Sequence, residues 1–160
     1  MVSELVAYKR LDYAIRLFAR RGLRLKVVGD GPEFARLKRM AGPSVEFCGR
    51  IGDADLRGIY GGARAFLMPG EEDFGITAVE ALASGKPVIA LGRGGALETV
   101  PEAGGVHYSD ASESSLEEAL ARFEALESAI DPQALREWSA QFSESAFRQK
   151  MARILGLPGR

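Results

Sequence analysis

The sequence predicts an α/β fold, a Rossmann-like parallel sheet with helices on both faces. Three observations lead there. Short apolar runs of strand length alternate with runs of helical periodicity along most of the chain. The connections between them are turns of a few residues, which suits parallel strands joined by helical crossovers. The turns holding unusual residues all follow strands: Tyr8-Lys9-Arg10, Gly29-Asp30-Gly31, Gly49-Arg50-Ile51, Gly70 to Gly75 and Gly92 to Gly95. In such a sheet these five turns converge on the carboxyl edge, where ligands bind.

In order, residues 2–6 read as a first strand and 11–21 as a helix ended by Gly22, with Leu11, Ala14, Ile15, Leu17 and Phe18 at helical spacing. Residues 23–28 form the next strand. Gly29-Asp30-Gly31-Pro32 turns the chain, with Pro32 suited to the first helical position before a helix over 33–40. Residues 45–48 are a strand, and Asp53 is the expected cap of a helix over 54–60. Residues 63–68 and 86–91 are strands that flank a helix over 76–84, closed by Gly85. A glycine-rich turn at 92–95 precedes a short helix over 96–100 and a last strand over 105–108. From Ser112 onward the chain reads as helical, over about 114–127, 132–139 and 143–155, with Ser143 as the N-cap of the final helix.

At 160 residues the chain is one domain, 1–160, with enough length to bury a full core. The net charge of −1 gives no reason to expect nucleic acid. Its distribution is uneven: residues 1–50 hold 11 Lys and Arg against 5 Asp and Glu, whereas residues 51–110 hold 4 against 9. A single cysteine, Cys48, excludes a disulfide framework within the chain, indicates a reducing, cytoplasmic setting, and reads as a small buried core residue. A single histidine, His107, excludes a His-based metal cluster. No apolar run of membrane-spanning length occurs.

Within the helix over 76–84 only Glu80 carries charge, and its neighbours Thr77, Ala78, Val79, Ala81, Leu82 and Ala83 predict a helix buried nearly all round. A carboxylate there needs a partner, and no Lys or Arg lies one turn away. Glu80 therefore either accepts hydrogen bonds from ligand hydroxyls or is spared by exposure at the helix edge or a distant ion pair. Gly75 to Thr77 opens this helix, whose free N–H groups and dipole suit an anion, although Gly75 is equally explained by a tight turn. Lys9, just past the first strand, is placed to meet a diphosphate. Gly29-x-Gly31 is not a dinucleotide fingerprint, because Phe34 stands where the third glycine belongs, and no Walker-type phosphate loop is present.

The stretch from Glu72-Asp73-Phe74-Gly75-Ile76 through Glu80-Ala81-Leu82-Ala83-Ser84-Gly85-Lys86-Pro87 resembles the signature of retaining glycosyltransferases of family 4 (group 1), which have the GT-B fold. Leu5-x-x-Tyr8-Lys9-Arg10, Val28-Gly29-Asp30-Gly31-Pro32, Val45-x-Phe47-x-Gly49, Leu56-x-x-x-Tyr60 and Gly94-Gly95-x-x-Glu98 occur in the family's order. The resemblance covers nearly the whole chain and is to the second, donor-binding domain. It implies transfer of a hexose, of mannose or glucose type, from a UDP-, GDP- or ADP-sugar to a glycan or lipid-linked acceptor, as in cell-wall or polysaccharide biosynthesis. No cofactor and no metal are implied. Lys9 and Glu72 are the implied catalytic residues, Lys9 on the donor diphosphate with Arg10 beside it and Glu72 on the donor sugar. Backbone amides from Phe74 through Gly75 and Ile76 to Thr77 would cradle phosphates and sugar. Glu80 would accept from the ribose, Gly29 and Asp30 would line the nucleotide site, and the Arg50-Ile51 turn would lie against the base.

One departure stands out: the family usually has an arginine five positions before the lysine, and here that position is Glu4. The resemblance also implies a preceding acceptor-binding domain, a helix over 143–155 that crosses back onto it, and a parent enzyme peripheral to a membrane. Without that domain the chain is expected to bind donor weakly and transfer no sugar. The alternatives are a non-catalytic domain of this fold, prompted by Glu4, and another α/β enzyme acting on a phosphorylated small molecule.

Overall fold

A computed structural model describes residues 1–156. The first half holds α1 (Leu11–Arg21), β1 (Leu25–Val28), α2 (Phe34–Met40), β2 (Val45–Gly49), α3 (Asp53–Gly62) and β3 (Phe66–Met68). There follow α4 (Ile76–Ala83), β4 (Val88–Leu91), α5 (Ala96–Thr99), β5 (Gly105–Tyr108) and α6 (Glu113–Leu126), then α7 (Pro132–Ser139) and α8 (Glu144–Ile154). Every strand pair is parallel: Leu25 stands opposite Val45, Phe66 opposite Val88, and Val88 in turn opposite Gly105.

The expected first strand over 2–6 is reduced to one bridge, Val2 to Val28. Its backbone still runs beside β1, with Ser3 N–H donating to Val28 O at 3.0 Å and Leu5 N–H donating to Asp30 O at 3.0 Å. Its other side meets Phe66–Met68 across a small gap without a backbone hydrogen bond, and the chain then turns into a 3-10 helix, Ala7–Lys9. The sheet is therefore split into two ladders, β1-β2 and β3-β4-β5, instead of one continuous sheet.

Helix ends explain the shorter strands. Leu23 N–H closes onto Phe18 O, and Lys86 N–H onto Ala81 O at 2.9 Å, so these residues complete helix caps before the strands begin. Gly85, at φ +72, makes the second cap possible. Two expected N-termini shift. Asp53 is the first residue of α3 and forms no side-chain cap, Gly52 preceding it. Pro32 lies in a turn, because Glu33 N–H is tied to Leu5 O at 2.9 Å and α2 starts at Phe34. Ser143 caps α8 as expected, accepting from Ala146 N–H at 3.3 Å. Cys48 is only half-buried.

Alternating strand residues feed two cores, which is the evidence for helices on both faces. Leu67, Ile89, Leu91 and Val106 pack with Ile15 and Leu17 of α1, Leu37 of α2 and Leu116 and Phe123 of α6. Phe66, Met68, Val88 and Ala90 pack with Tyr60 of α3, Ala78 and Leu82 of α4, Ala96 of α5 and Leu135 of α7. None of the side chains of α8 is buried.

The split sheet makes Gly29 critical. Its φ is +127, and a Cβ there would lie 1.9 Å from Ser3 O, in the seam joining residues 1–5 to β1. Gly29→Ala is expected to lose about 2 kcal/mol or more, a fall in Tm of roughly 5 °C or more. Gly58 lies inside α3, where an added Cβ would point into open space with nothing within 4 Å, and Gly58→Ala is expected to gain up to about 1 kcal/mol. Thermal melts of the two variants check both signs.

Candidate functional site

The site is built at the carboxyl edge, from the 3-10 turn Ala7–Lys9, the irregular loop over 69–75 and the start of α4. Buried Tyr13 of α1 fixes the start of the main loop: its hydroxyl donates to Pro69 O at 2.6 Å and meets the Tyr108 hydroxyl at 2.7 Å. Burial pushes the Tyr13 hydroxyl up to about 12, so it stays a donor at ordinary pH. Gly70 then passes directly over the Lys9 backbone; a Cβ would sit 2.4 Å from Lys9 O. Further on, Gly95 N–H donates to Glu72 O at 2.7 Å, and a Cβ on Gly95 would lie 2.5 Å from Phe74 O and 2.6 Å from Asp73 O. Only glycine allows the 92–95 turn to lie this close beneath the loop.

This scaffold brings Lys9 and Glu72 together. The Lys9 ammonium donates to Glu72 Oε2, with the two side chains 14% and 22% exposed. The pair opens onto a cleft of about 320 Å³, also lined by Glu4, Tyr8, Asp73 and residues 74–77. Gly75, at φ +83, turns the chain into α4; Ala78 and Val79 N–H return to Gly75 O, which leaves the Ile76 and Thr77 amides at the helix start without a carbonyl partner. A basic residue and the positive end of a helix thus face one space. Among the cleft's own lining residues one ammonium, Lys9, stands with three carboxylates, Glu4, Glu72 and Asp73.

Helix α4 is not buried all round. Phe74 is 46% and Ile76 64% exposed, and Glu80 is exposed as well. The apolar sequence covers a core face, Ala78, Ala81 and Leu82, and a second face that opens on the carboxyl edge. Glu80 is met by Tyr60 of α3, whose hydroxyl donates to Glu80 Oε2 at 2.9 Å and lies 3.2 Å from Thr77 O. Burial, and then the carboxylate itself, push the Tyr60 hydroxyl well up, which keeps its proton on this bond.

The remaining sequence-predicted residues are not among those that line the cleft. Arg10, a non-glycine residue at φ +51, turns toward α6, its guanidinium 3.3 Å from Ala111 O and 3.6 Å from Asp12. Asp30 holds its own turn, accepting from Gly31 N–H at 2.8 Å, and Gly29 N–H donates to Gly49 O. Arg50 is exposed and Ile51 half-buried at the end of β2. Sequence reasoning gave no role to Tyr60, although Leu56-x-x-x-Tyr60 lay among the matched motifs, nor to Tyr8, whose ring lies 5.0 Å from the Lys9 ammonium. No group of His, Cys, Asp and Glu suited to a metal occurs among the described residues.

The family model for glycosyl transferases group 1 matches residues 1–144. The chain belongs to that family. A GDP-mannose-dependent alpha-mannosyltransferase of Mycolicibacterium smegmatis is 38% identical over 100 residues, 62% of this chain and 26% of the relative. A GDP-mannose-dependent monoacylated alpha-(1-6)-phosphatidylinositol monomannoside mannosyltransferase of Corynebacterium glutamicum is 34% identical over 134 residues, 74% of this chain and 35% of the relative. Anabaena HepE, solved with UDP, superposes with a TM-score of 0.81 over 97% of this chain and 48% of its own, at 23% identity. That likeness shows the α/β fold of GT-B glycosyltransferases. This group 1 glycosyl transferase chain spans from about a quarter to about a third of the length of these two curated relatives.

The Tyr60 and Glu80 contact is open to a direct check. In a double-mutant cycle of Tyr60→Phe and Glu80→Ala, unfolding free energies are expected to show a coupling of about 1 kcal/mol, the low end for a hydrogen bond to an exposed carboxylate. Additive effects would show that the two side chains do not interact.

Proposed function

We propose that this chain is the donor-binding domain of a retaining glycosyltransferase that transfers mannose from GDP-mannose to a glycan or lipid-linked acceptor. The observation that carries the proposal is the arrangement of Lys9, Glu72 and the open amides of Ile76 and Thr77 around one cleft, in a chain of the group 1 family. GDP is preferred over UDP and ADP because the relatives named for a nucleotide donor at 34% identity or more use GDP-mannose. The phosphatidylinositol mannoside named for the Corynebacterium relative supports a lipid-linked acceptor and a parent enzyme at a membrane surface. No helix among the described residues is long and apolar enough to cross a membrane.

In this reading the diphosphate lies over the start of α4, where N–H groups and the helix dipole stabilise its charge, and Lys9 completes the neutralisation as the sugar leaves. Glu72 faces the donor sugar, and Glu80, oriented by Tyr60, accepts from the ribose. Asp30, Gly29 and the Arg50-Ile51 turn border the nucleoside, and Arg10 supports the Lys9 loop from behind. Neutralisation by Lys9 and the helix start leaves no step that needs a metal or a cofactor. Transfer needs donor and acceptor oriented in one water-excluded cleft, so the acceptor-binding domain is the required partner and the chain alone is proposed inactive. A second reading, a domain that has lost donor binding, is favoured by Glu4 lining the cleft beside Glu72 and Asp73.

Thermal melts with GDP, UDP and ADP decide between the two. A nucleotide at about a hundred times its Kd adds roughly 2.7 kcal/mol, a shift of several degrees. The expected result is a shift with GDP that exceeds the other two, is lost in Lys9→Ala and Glu80→Ala, and persists in EDTA. No shift with any nucleotide would favour the second reading, and a shift abolished by EDTA would contradict metal independence.

A further inference from the structure

Helices α4 and α7 have eight residues each, about 12 Å by the rise of an α-helix. They lie side by side in opposite directions. The start of α7 meets the end of α4, where a Cβ on Gly85 would lie 2.7 Å from the Arg136 guanidinium and 3.2 Å from Pro132. The end of α7 meets the start of α4. There the 3-10 turn Ala140–Phe142 places the Phe142 ring edge-on to Phe74, with centroids 5.7 Å apart at 80°. A second line of contact reaches the same loop: the Trp138 indole N–H donates to Thr99 O at 2.9 Å. The Thr99 hydroxyl, fully buried, donates to Gly95 O at 2.8 Å, and Gly95 N–H donates to Glu72 O.

From these two lines we infer that Trp138 and Phe142 are positioning residues for the donor loop: they hold residues 72–75 and the opening of α4 in place, and so set affinity for the donor diphosphate without touching it. The inference rests on the donor-site reading above. Residues 70–75 form no helix or extended strand of their own, and the one large apolar side chain in them, Phe74, is 46% exposed. With no core to hold it, Phe74 is fixed by the ring of Phe142, and the carbonyls of Asp73 and Phe74 by the close approach of Gly95. Freeing either contact lets the open amides of Ile76 and Thr77 leave their positions at the cleft. A loop that must be reordered on binding takes the ordering cost out of affinity.

The test uses the full chain in four forms: wild type, Phe142→Ala, Phe142→Leu and Trp138→Phe. Hydrogen exchange of the unliganded chains reads the loop directly. Phe142→Ala is expected to speed exchange at 73–77 while leaving α1 and α6 unchanged, with Phe142→Leu restoring part of the protection. Titration of GDP then reads the consequence: Phe142→Ala weakens Kd by up to about tenfold, the scale of one aromatic pair, and Trp138→Phe, which keeps the ring and removes the N–H donor, weakens it less. Trp138 is the only tryptophan, so its emission should change when GDP binds wild type, and much less in Phe142→Ala. Unchanged exchange at 73–77 in Phe142→Ala, or equal GDP affinity in wild type and Phe142→Ala, overturns the positioning role. Wild type that binds no nucleotide while Phe142→Ala exchanges faster overturns the donor-site reading, and with it the effect on affinity.

Discussion

The carboxyl edge of this molecule depends on one close backbone contact, the approach of Gly94 and Gly95 beneath residues 72–74. Gly95 donates to Glu72 O, and neither Gly95 nor Gly94 could carry a Cβ without meeting Glu72, Asp73 or Phe74 carbonyl oxygens at 2.4–2.6 Å. A loop without regular structure must satisfy its peptide groups elsewhere, and here the 92–95 turn supplies the partner. The remaining supports act on the two ends of the same loop, through Tyr13 on Pro69 and through Gly70 on the Lys9 backbone. Because Gly70 touches Lys9 and Gly95 touches Glu72, backbone contacts alone bring the ammonium and the carboxylate within reach. The ion pair follows from the seam.

That pair sets the electrostatics of the cleft. Lys9 and Glu72 neutralise each other in a half-buried setting, where charges are screened less than at the surface. The other charged side chains lining the cleft, Glu4 and Asp73, are both acidic. In the proposed donor complex, a diphosphate would compete with Glu72 for Lys9 and meet two further carboxylates. In that complex the compensating field would come from the peptide groups at the start of α4, which carry no side-chain cap and no acidic residue in the first turn, and which do not titrate. On the proposed reading, this division makes donor affinity depend on the positioning of residues 72–77.

Much of this was legible in the residues. The apolar spacing of Leu11, Ala14, Ile15 and Phe18 gave α1 its true bounds, and Gly85 marked the end of α4 because only a left-handed residue completes that cap. The order of turns along the chain placed four of the five unusual loops at strand ends, while Tyr8 to Arg10 follows a segment with a single bridge to β1. Two kinds of information were not in the pattern. Strand starts were read too early, since Leu23 and Lys86 are apolar or lie in apolar runs but spend their N–H groups on helix caps. The apolar run around Glu80 looked like a helix sealed in the core, whereas one face of it is open; periodicity records which positions are apolar, not what covers them. Tyr60 with Glu80 and Phe142 with Phe74 are contacts between distant stretches, and no local spacing announces either.

The most direct test of the central claim is amide chemical-shift mapping of the chain as GDP is added. A donor site at the carboxyl edge predicts shifts concentrated at Tyr8 and Lys9, at 72–77 and around Glu80, with the far ends of α1 and α6 silent. Shifts confined to the opposite edge, around Arg24 and residues 38–44, or their absence at saturating GDP, would contradict it.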